Sequence, residues 1–234
     1  MMRIDILTLF PDLFSPYLET SVIGRAVKGG YLDVVCHNIR DFTLNKQRQV
    51  DDAPYGGGYG MVIGAQPVYD CFEAVCAELG KRPRLIYMSP QGQVLTQQKV
   101  KELSEEDGFA ILCGHYEAVD DRVIEEIVDE QISIGDYVVT GGELPALVVT
   151  DAVARLCEGV LADRSCYEDE SHYSGLLEYP QYTRPEEWHG KKVPQVLLSG
   201  HHENIRRWKH EMAEKRTKEL RPDMWEKYEK GEGR

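Results

Sequence analysis

The chain has 234 residues, 42% of them hydrophobic and 29% charged, with a formal net charge of −13. That length holds one large domain, or one large and one small. The acidic balance argues against indiscriminate nucleic-acid binding, which needs many cations on phosphates, and no apolar run approaches the roughly 18 residues of a membrane span. The opening MMRIDILTLFP lacks the long apolar region and cleavage site of a secretory leader, so a cytoplasmic protein is expected. Cys36, Cys71, Cys76, Cys113, Cys157 and Cys166 show no C-x-x-C pair and no zinc-ligand rhythm, which suits reduced thiols.

In chain order, MRIDILTL reads as a strand and FPDLFSPYLETSVIGRAVKGG as a helix closed by Gly29 and Gly30. YLDVVCHNI is a second strand. The stretch DFTLNKQRQVDDAPYGGGYGM is polar, rich in glycine and without period. VYDCFEAVCAELG is an amphipathic helix ending at Gly80, and RLIYMSP is a strand. A helix opened by Thr96 (TQQKVKELSEE), a strand (FAILCGHYE), a helix (DRVIEEIVDEQ) and a strand (SIGDYVV) follow. Residues 143–156 read as one more helix. This alternation predicts an α/β domain with a largely parallel sheet over residues 1–161. The pattern then breaks into a flexible interdomain linker, 162–174. A small helical, highly charged domain is expected over 175–234.

In a parallel α/β sheet, ligands bind beyond the C-terminal ends of the strands. Three strand ends carry unusual residues: YMSPQG (87–92), CGHYE (113–117) and IGDYVVTGG (134–142). Glycines there let a ligand approach the backbone, which suits a flat purine with a polar tail. PYGGGYGM (54–61) lacks the Gly-Lys-Ser/Thr ending of a phosphate loop and reads as a flexible lid. Asp151 and Arg155 stand four apart on one predicted helix, a spacing that usually gives a surface ion pair. Asp169 and Glu170 fall in the linker. His201, His202 and Glu203 have no third ligand at zinc spacing.

Together LFP (9–11), GRAVKGG (24–30), VDDAPYGGGYGM (50–61), YMSPQG (87–92), CGHYE (113–117), SIGDYVVTGGELPA (133–146), GLLEYPQYTRP (175–185) and VPQVLLSGHHENIRRW (193–208) resemble the bacterial tRNA (guanine-N1)-methyltransferase family. The resemblance runs from the first strand to about Arg221. It implies a deep trefoil-knotted domain of the SPOUT class and a homodimer whose active site is shared between subunits. The substrate it implies is tRNA with guanine at position 37, and the methyl donor is S-adenosylmethionine.

By this similarity Gly114, Ile134, Gly135, Asp136, Tyr137, Val138 and Val139 contact the adenosine portion of the methyl donor. Tyr87, Ser89, Pro90, Gly141, Gly142 and Pro145 line the same pocket. The resemblance assigns Arg155 to stabilise charge on the guanine and a linker carboxylate to act as base. Counting back from Gly175 lands on Glu170, with Asp169 one earlier, where familiar members carry Glu-Asp-Ser. Asp51 and the glycine loop to Gly60 are expected to cover the target guanine. Arg206 and Arg207 head a cationic stripe that continues through Lys209, Lys215, Arg216, Lys218 and Arg221 and would grip the anticodon stem. Magnesium dependence is implied, although no metal site is readable. Tyr59 stands where a proline is common in the family, and the small domain stops soon after Trp225. The rival within the class is a related knotted RNA methyltransferase acting on another base.

Overall fold

The opening apolar run forms strand β1, Met2–Thr8, and its two faces feed two separate cores. A computed structural model describes residues 1–163, 165–168 and 170–231. The chain divides into two compact units, Met1–Ala162 and Asp163–Arg234.

In the first unit the single helix expected after β1 is broken. A 3-10 turn at Pro11–Leu13 leads to α1, Ser15–Leu18, and then α2, Ser21–Lys28. Pro11 and Pro16 sit in the first turns of the two short pieces, where proline's missing N–H is tolerated. Ser21, the first residue of α2, adopts φ 54, and this left-handed conformation redirects the chain after α1. Next come β2, Leu32–Asn38, a 3-10 turn at Ile39–Phe42, β3, Asp51–Asp52, and β4, Val62–Ile63.

Helix α3, Ala65–Leu79, ends at Gly80, whose φ of 65 supplies the left-handed stop. Strand β5, Arg84–Val94, is followed by α4, Gln97–Ser104, capped by the Thr96 hydroxyl accepting from Lys99 N. The unit closes with β6, Gly108–Cys113, β7, Ala118–Val119, α5, Asp121–Ile127, β8, Glu130–Ser133, and α6, Glu143–Ala154.

The main sheet has the order β2-β1-β6-β5-β8 and is parallel throughout. Met2, Ile4 and Ile6 pack on one face with Ile23, Leu103, Val149 and Val153 from α2, α4 and α6. Leu7 packs on the other with Phe72 and Val75 of α3 and Val123 and Ile127 of α5. Full burial of each such side chain contributes about 1.5–3 kcal/mol. A small sheet, β3-β4-β7, ties the polar stretch after β2 to the segment after β6.

In the second unit α7, Ser165–Glu168, precedes a hairpin of β9, Glu187–Trp188, and β10, Lys191–Lys192. Then come α8, Gln195–Leu198, α9, His202–Leu220, and α10, Pro222–Glu229. Ala213 and Thr217 are the buried residues of α9. The Thr217 hydroxyl accepts from Leu177 N at 2.9 Å, so this helix holds the segment after Gly175. Among the described residues no helix is long and apolar enough to cross a membrane.

Asp5 is one of the buried polar groups inside the first unit. Asp5 is 1% exposed, with Arg3 Nη2 donating to Oδ1 at 2.7 Å, Arg3 Nε to Oδ2 at 3.0 Å, and His37 Nε2 lying 2.7 Å from Oδ1. Burial pushes this carboxyl up, but hydrogen bonds from His37 and Arg3, with their charges, outweigh it and hold it below the usual carboxylate range. A depressed folded-state pKa means the stabilisation is present above the unfolded value near about 3.9 and is lost as pH falls through the folded one. Asp5→Asn should therefore lower unfolding stability by about 3 kcal/mol at pH 7. The gap to the parent should narrow below about pH 4. Urea midpoints of the two proteins at both pH values measure this.

Candidate active site

Strands β6, β5 and β8 are neighbours in the sheet, so the segments leaving their C-terminal ends converge. They line a small cavity of about 130 Å³.

The first wall comes from inside β5. Met88 and Gln93 both pair with Ile132, so residues 89–92 bulge out of the strand. The expected strand RLIYMSP thus continues to Val94 beyond an interruption. Tyr87, Ser89 and Pro90 line the cavity from this wall. Burial pushes the Tyr87 phenol up, so it stays neutral.

The second wall is Gly114, His115, Tyr116 and Glu117, directly after Cys113. The third runs from Ile134 to Gly142, with Pro145 from the first turn of α6. SIGDYVV was expected to be a strand. The strand instead ends at Ser133, where the Ser133 hydroxyl donates to Gly135 O at 2.9 Å and accepts from Gly135 N at 3.1 Å. The chain then turns, and Ile134, Tyr137, Val138 and Val139 face the cavity. Gly135 and Asp136 do not line it. Gly135, at φ 144, shapes the turn, and Asp136 is exposed.

The second and third walls meet backbone to backbone. Gly142 N donates to Gly114 O at 2.8 Å, and His115 bridges Gly141. A Cβ on Gly142 would fall 2.7 Å from Cys113 Cα, and one on Gly141 would collide with Glu143 Oε2. Only glycine allows this approach.

Behind that contact lies a group that sequence reasoning missed. Glu143, the first residue of α6, is 3% exposed, and its Oε1 accepts from the buried Thr8 hydroxyl at 2.9 Å. His115 Nδ1 is 3.6 Å from Glu143 Oε2, just beyond hydrogen bonding, and its ring packs on Phe10 at 4.7 Å. Burial pushes the Cys113 thiol well up, and the Glu143 charge adds to it. The available signal was an acid at the head of the apolar run LPALVV, after Gly-Gly.

Arg155 stands elsewhere. It follows the last turn of α6 and lines a second cavity with Tyr17, Thr20, Ile23 and Asp151. Asp151 Oδ1 accepts from the Tyr17 hydroxyl at 2.7 Å. At 1.5 Å per residue, Arg155 lies about 20 Å along the helix from Gly142. Helix α6 ends at Ala154, short of the expected Leu156.

Asp51 sits in β3, half-buried and paired with Ile63. Gly60, at φ 83, packs so closely on Glu117 that the glycine loop joins the cavity rim. Tyr55 and Tyr59 in that loop are fully exposed. In the second unit Arg206 and Arg207 line a cavity with Leu176, Leu177 and Tyr179, and Lys209 Nζ lies 4.4 Å from the Tyr179 ring centre. Arg221 of the cationic stripe is engaged by Asp223 at 2.6 Å. Glu170 is half-buried in the second unit, and its N donates to Tyr167 O at 3.2 Å. Asp169 lies outside the described residues. Among the described residues no group of three or more His, Cys, Asp or Glu could hold a metal ion. All six cysteines are free.

Comparison with known proteins adds the chain's kinship. A sequence model described as tRNA (Guanine-1)-methyltransferase TrmD matches residues 2–227. A tRNA (guanine-N(1)-)-methyltransferase of Ruminiclostridium cellulolyticum is 54% identical over 226 residues, covering 97% of each chain. One of Lachnospira eligens is 54% identical over 229 residues, covering 98% of this chain and 97% of its own. A third, of Desulforamulus reducens, is 51% identical, covering 95% of this chain and 88% of its own. With a match this long and these relatives aligned nearly end to end, the chain belongs to the tRNA (guanine-1)-methyltransferase family.

Proposed function

We infer that the protein transfers the methyl group of S-adenosylmethionine to N1 of guanine 37 in tRNA, in the cytoplasm and as a knotted homodimer. The observation that carries this reading is the cavity beyond β5, β6 and β8, where three unrelated stretches of sequence converge. Its glycine walls bring main-chain amides and carbonyls to a ligand, and Ile134, Val138, Val139 and Pro145 give apolar contact to a flat ring. Those features fit an adenosine moiety. When bound, the methyl donor supplies an electrophilic methyl on a sulfonium, which needs no metal to leave.

The chain's own residues then manage one proton and one growing charge. Guanine N1 carries a proton and becomes nucleophilic as that proton leaves. The family resemblance gives its removal to a carboxylate of the segment 162–174, Glu170 or Asp169. The methyl moves from sulfur to N1, the sulfonium becomes a neutral thioether, and the proton stays on the carboxylate. Arg155 stabilises the negative charge that develops on guanine O6. Among the described residues no group of three or more His, Cys, Asp or Glu is placed to hold a magnesium ion.

Two features support a second copy of the chain. An arginine side chain reaches only about a third of the roughly 20 Å between Arg155 and the cavity wall. This distance favours an arginine supplied by a second copy of the chain. Leu144 and Val148, one turn apart on α6, are 54% and 45% exposed, and Leu13 and Tyr17 are also uncovered. An apolar face of this kind suits an interface between copies.

Cations of α9 support the tRNA side despite the acidic total, because phosphate contact depends on local charge. The exposed glycine loop on the cavity rim suits a cover over an extruded base.

Labelled S-adenosylmethionine incubated with two tRNA transcripts, differing only in G or A at position 37, tests the reading. 1-Methylguanosine should form from the G transcript alone; transfer to both or to neither would overturn the assignment. In Arg155→Ala, methyl-donor affinity should stay within about twofold while single-turnover transfer falls about 10²–10³-fold. Equal loss of both would remove Arg155 from the chemistry.

A further inference from the structure

Among the described residues, Asp5 and Glu143 are the fully buried carboxylates. Asp5 is matched by Arg3 and His37. Glu143 has no lysine or arginine among its described partners. Its neighbours are the Thr8 hydroxyl, which donates to Oε1, and the His115 ring, 3.6 Å from Oε2. The Thr8 oxygen is itself fixed by Phe10 N at 3.0 Å, so the donor cannot turn away. The amino end of α6 contributes a partial positive charge of about +0.5. A buried carboxylate with so little compensation is expensive to keep.

Its position suggests what completes it. Gly141 and Gly142 separate the carboxylate from the cavity, and a single methyl on Gly141 would strike Oε2. The negative charge therefore lies one backbone layer behind the wall, in a place water does not reach. Its field crosses into the cavity with little screening. Glu117 lines the same cavity but is exposed, so its field is damped by solvent.

We propose that Glu143 gives the cavity a fixed negative potential that selects the cationic methyl donor over the neutral thioether product. This rests on the reading of the cavity as the methyl-donor site. S-adenosylmethionine and S-adenosylhomocysteine differ by one methyl and one positive charge. The same scaffold that holds the adenosine of both then favours the charged reactant and lets the spent one leave. Neither Thr8, whose hydroxyl meets the carboxylate and Phe10 N, nor Glu143 lines the cavity, so both act as positioning groups.

The test is calorimetric titration of the full-length protein with each of the two compounds, comparing the parent, Glu143→Gln and Glu143→Asp. Glutamine keeps the shape and the acceptor for Thr8 but removes the charge. At an effective dielectric near 20, a unit charge about 10 Å away changes affinity by roughly tenfold. Glu143→Gln should weaken S-adenosylmethionine by about that factor and leave S-adenosylhomocysteine within about twofold. Glu143→Asp should preserve the ratio of the two affinities, even where altered packing weakens both. Equal weakening of both ligands by Glu143→Gln would reduce Glu143 to a structural role, and no change in either would remove it altogether. A parent protein that binds neither compound would overturn the methyl-donor reading itself, an outcome distinct from failure of the charge effect.

Discussion

The close backbone crossing of residues 113–114 and 141–142 is the constraint on which the rest of the first unit depends. Gly142 N reaches Gly114 O at 2.8 Å, and a side chain at Gly142 would meet Cys113 Cα rather than a movable group. Backbone pressed on backbone cannot relax as a flexible side chain would. The crossing sets where α6 begins, because Gly142 is its amino-terminal cap. It also sets the cavity, since both crossing segments are walls of it. The first wall obeys a similar limit. Gly92 lies against the Gln131 backbone, which holds the 89–92 bulge beside β8.

Helix α6 then connects two places that differ in chemistry. Its first turn carries Pro145 at the cavity and Glu143 behind it, and the residue after its last turn is Arg155. Its inner face, with Ala146, Val149, Val153 and Ala154, is buried in the same core as β1. The helix is therefore a rigid spacer, and a straight α-helix cannot bring its two ends together. This rigidity supports the inferred sharing of one site between two chains. An exposed apolar stripe on the same helix supplies a surface on which two copies can meet.

Charge is distributed by the same logic of position. The net charge of −13 describes the whole chain, yet Arg206, Arg207 and Lys209 gather at one cavity of the second unit. Not every cation of that stretch is available to a phosphate. Arg221 is held by Asp223, and Lys218 lies 4.0 Å from the Trp225 ring centre. A count of lysines and arginines therefore overstates how many of the stretch's cations stand without a partner.

Much of the architecture was legible in the sequence because it rests on local rules. Apolar runs of strand length announced β1, β2 and β6, Thr96 and Gly80 marked helix ends, and ordered motifs identified the family. Local rules failed where the chain obeys distant partners. SIGDYVV has the composition of a strand, but beyond Ser133 it lines a cavity instead of pairing. The 89–92 bulge is invisible in YMSPQGQV, because it arises from two residues of β5 sharing Ile132 as partner. The glycines of 141–142 could be seen in the sequence, but not what presses on them. Glu143 illustrates the division most clearly. The sequence by itself determined that an acid begins α6. Only the tertiary structure decided that this acid is buried, because Thr8 lies 135 positions away along the chain, and the burial of a charge depends on what folds over it.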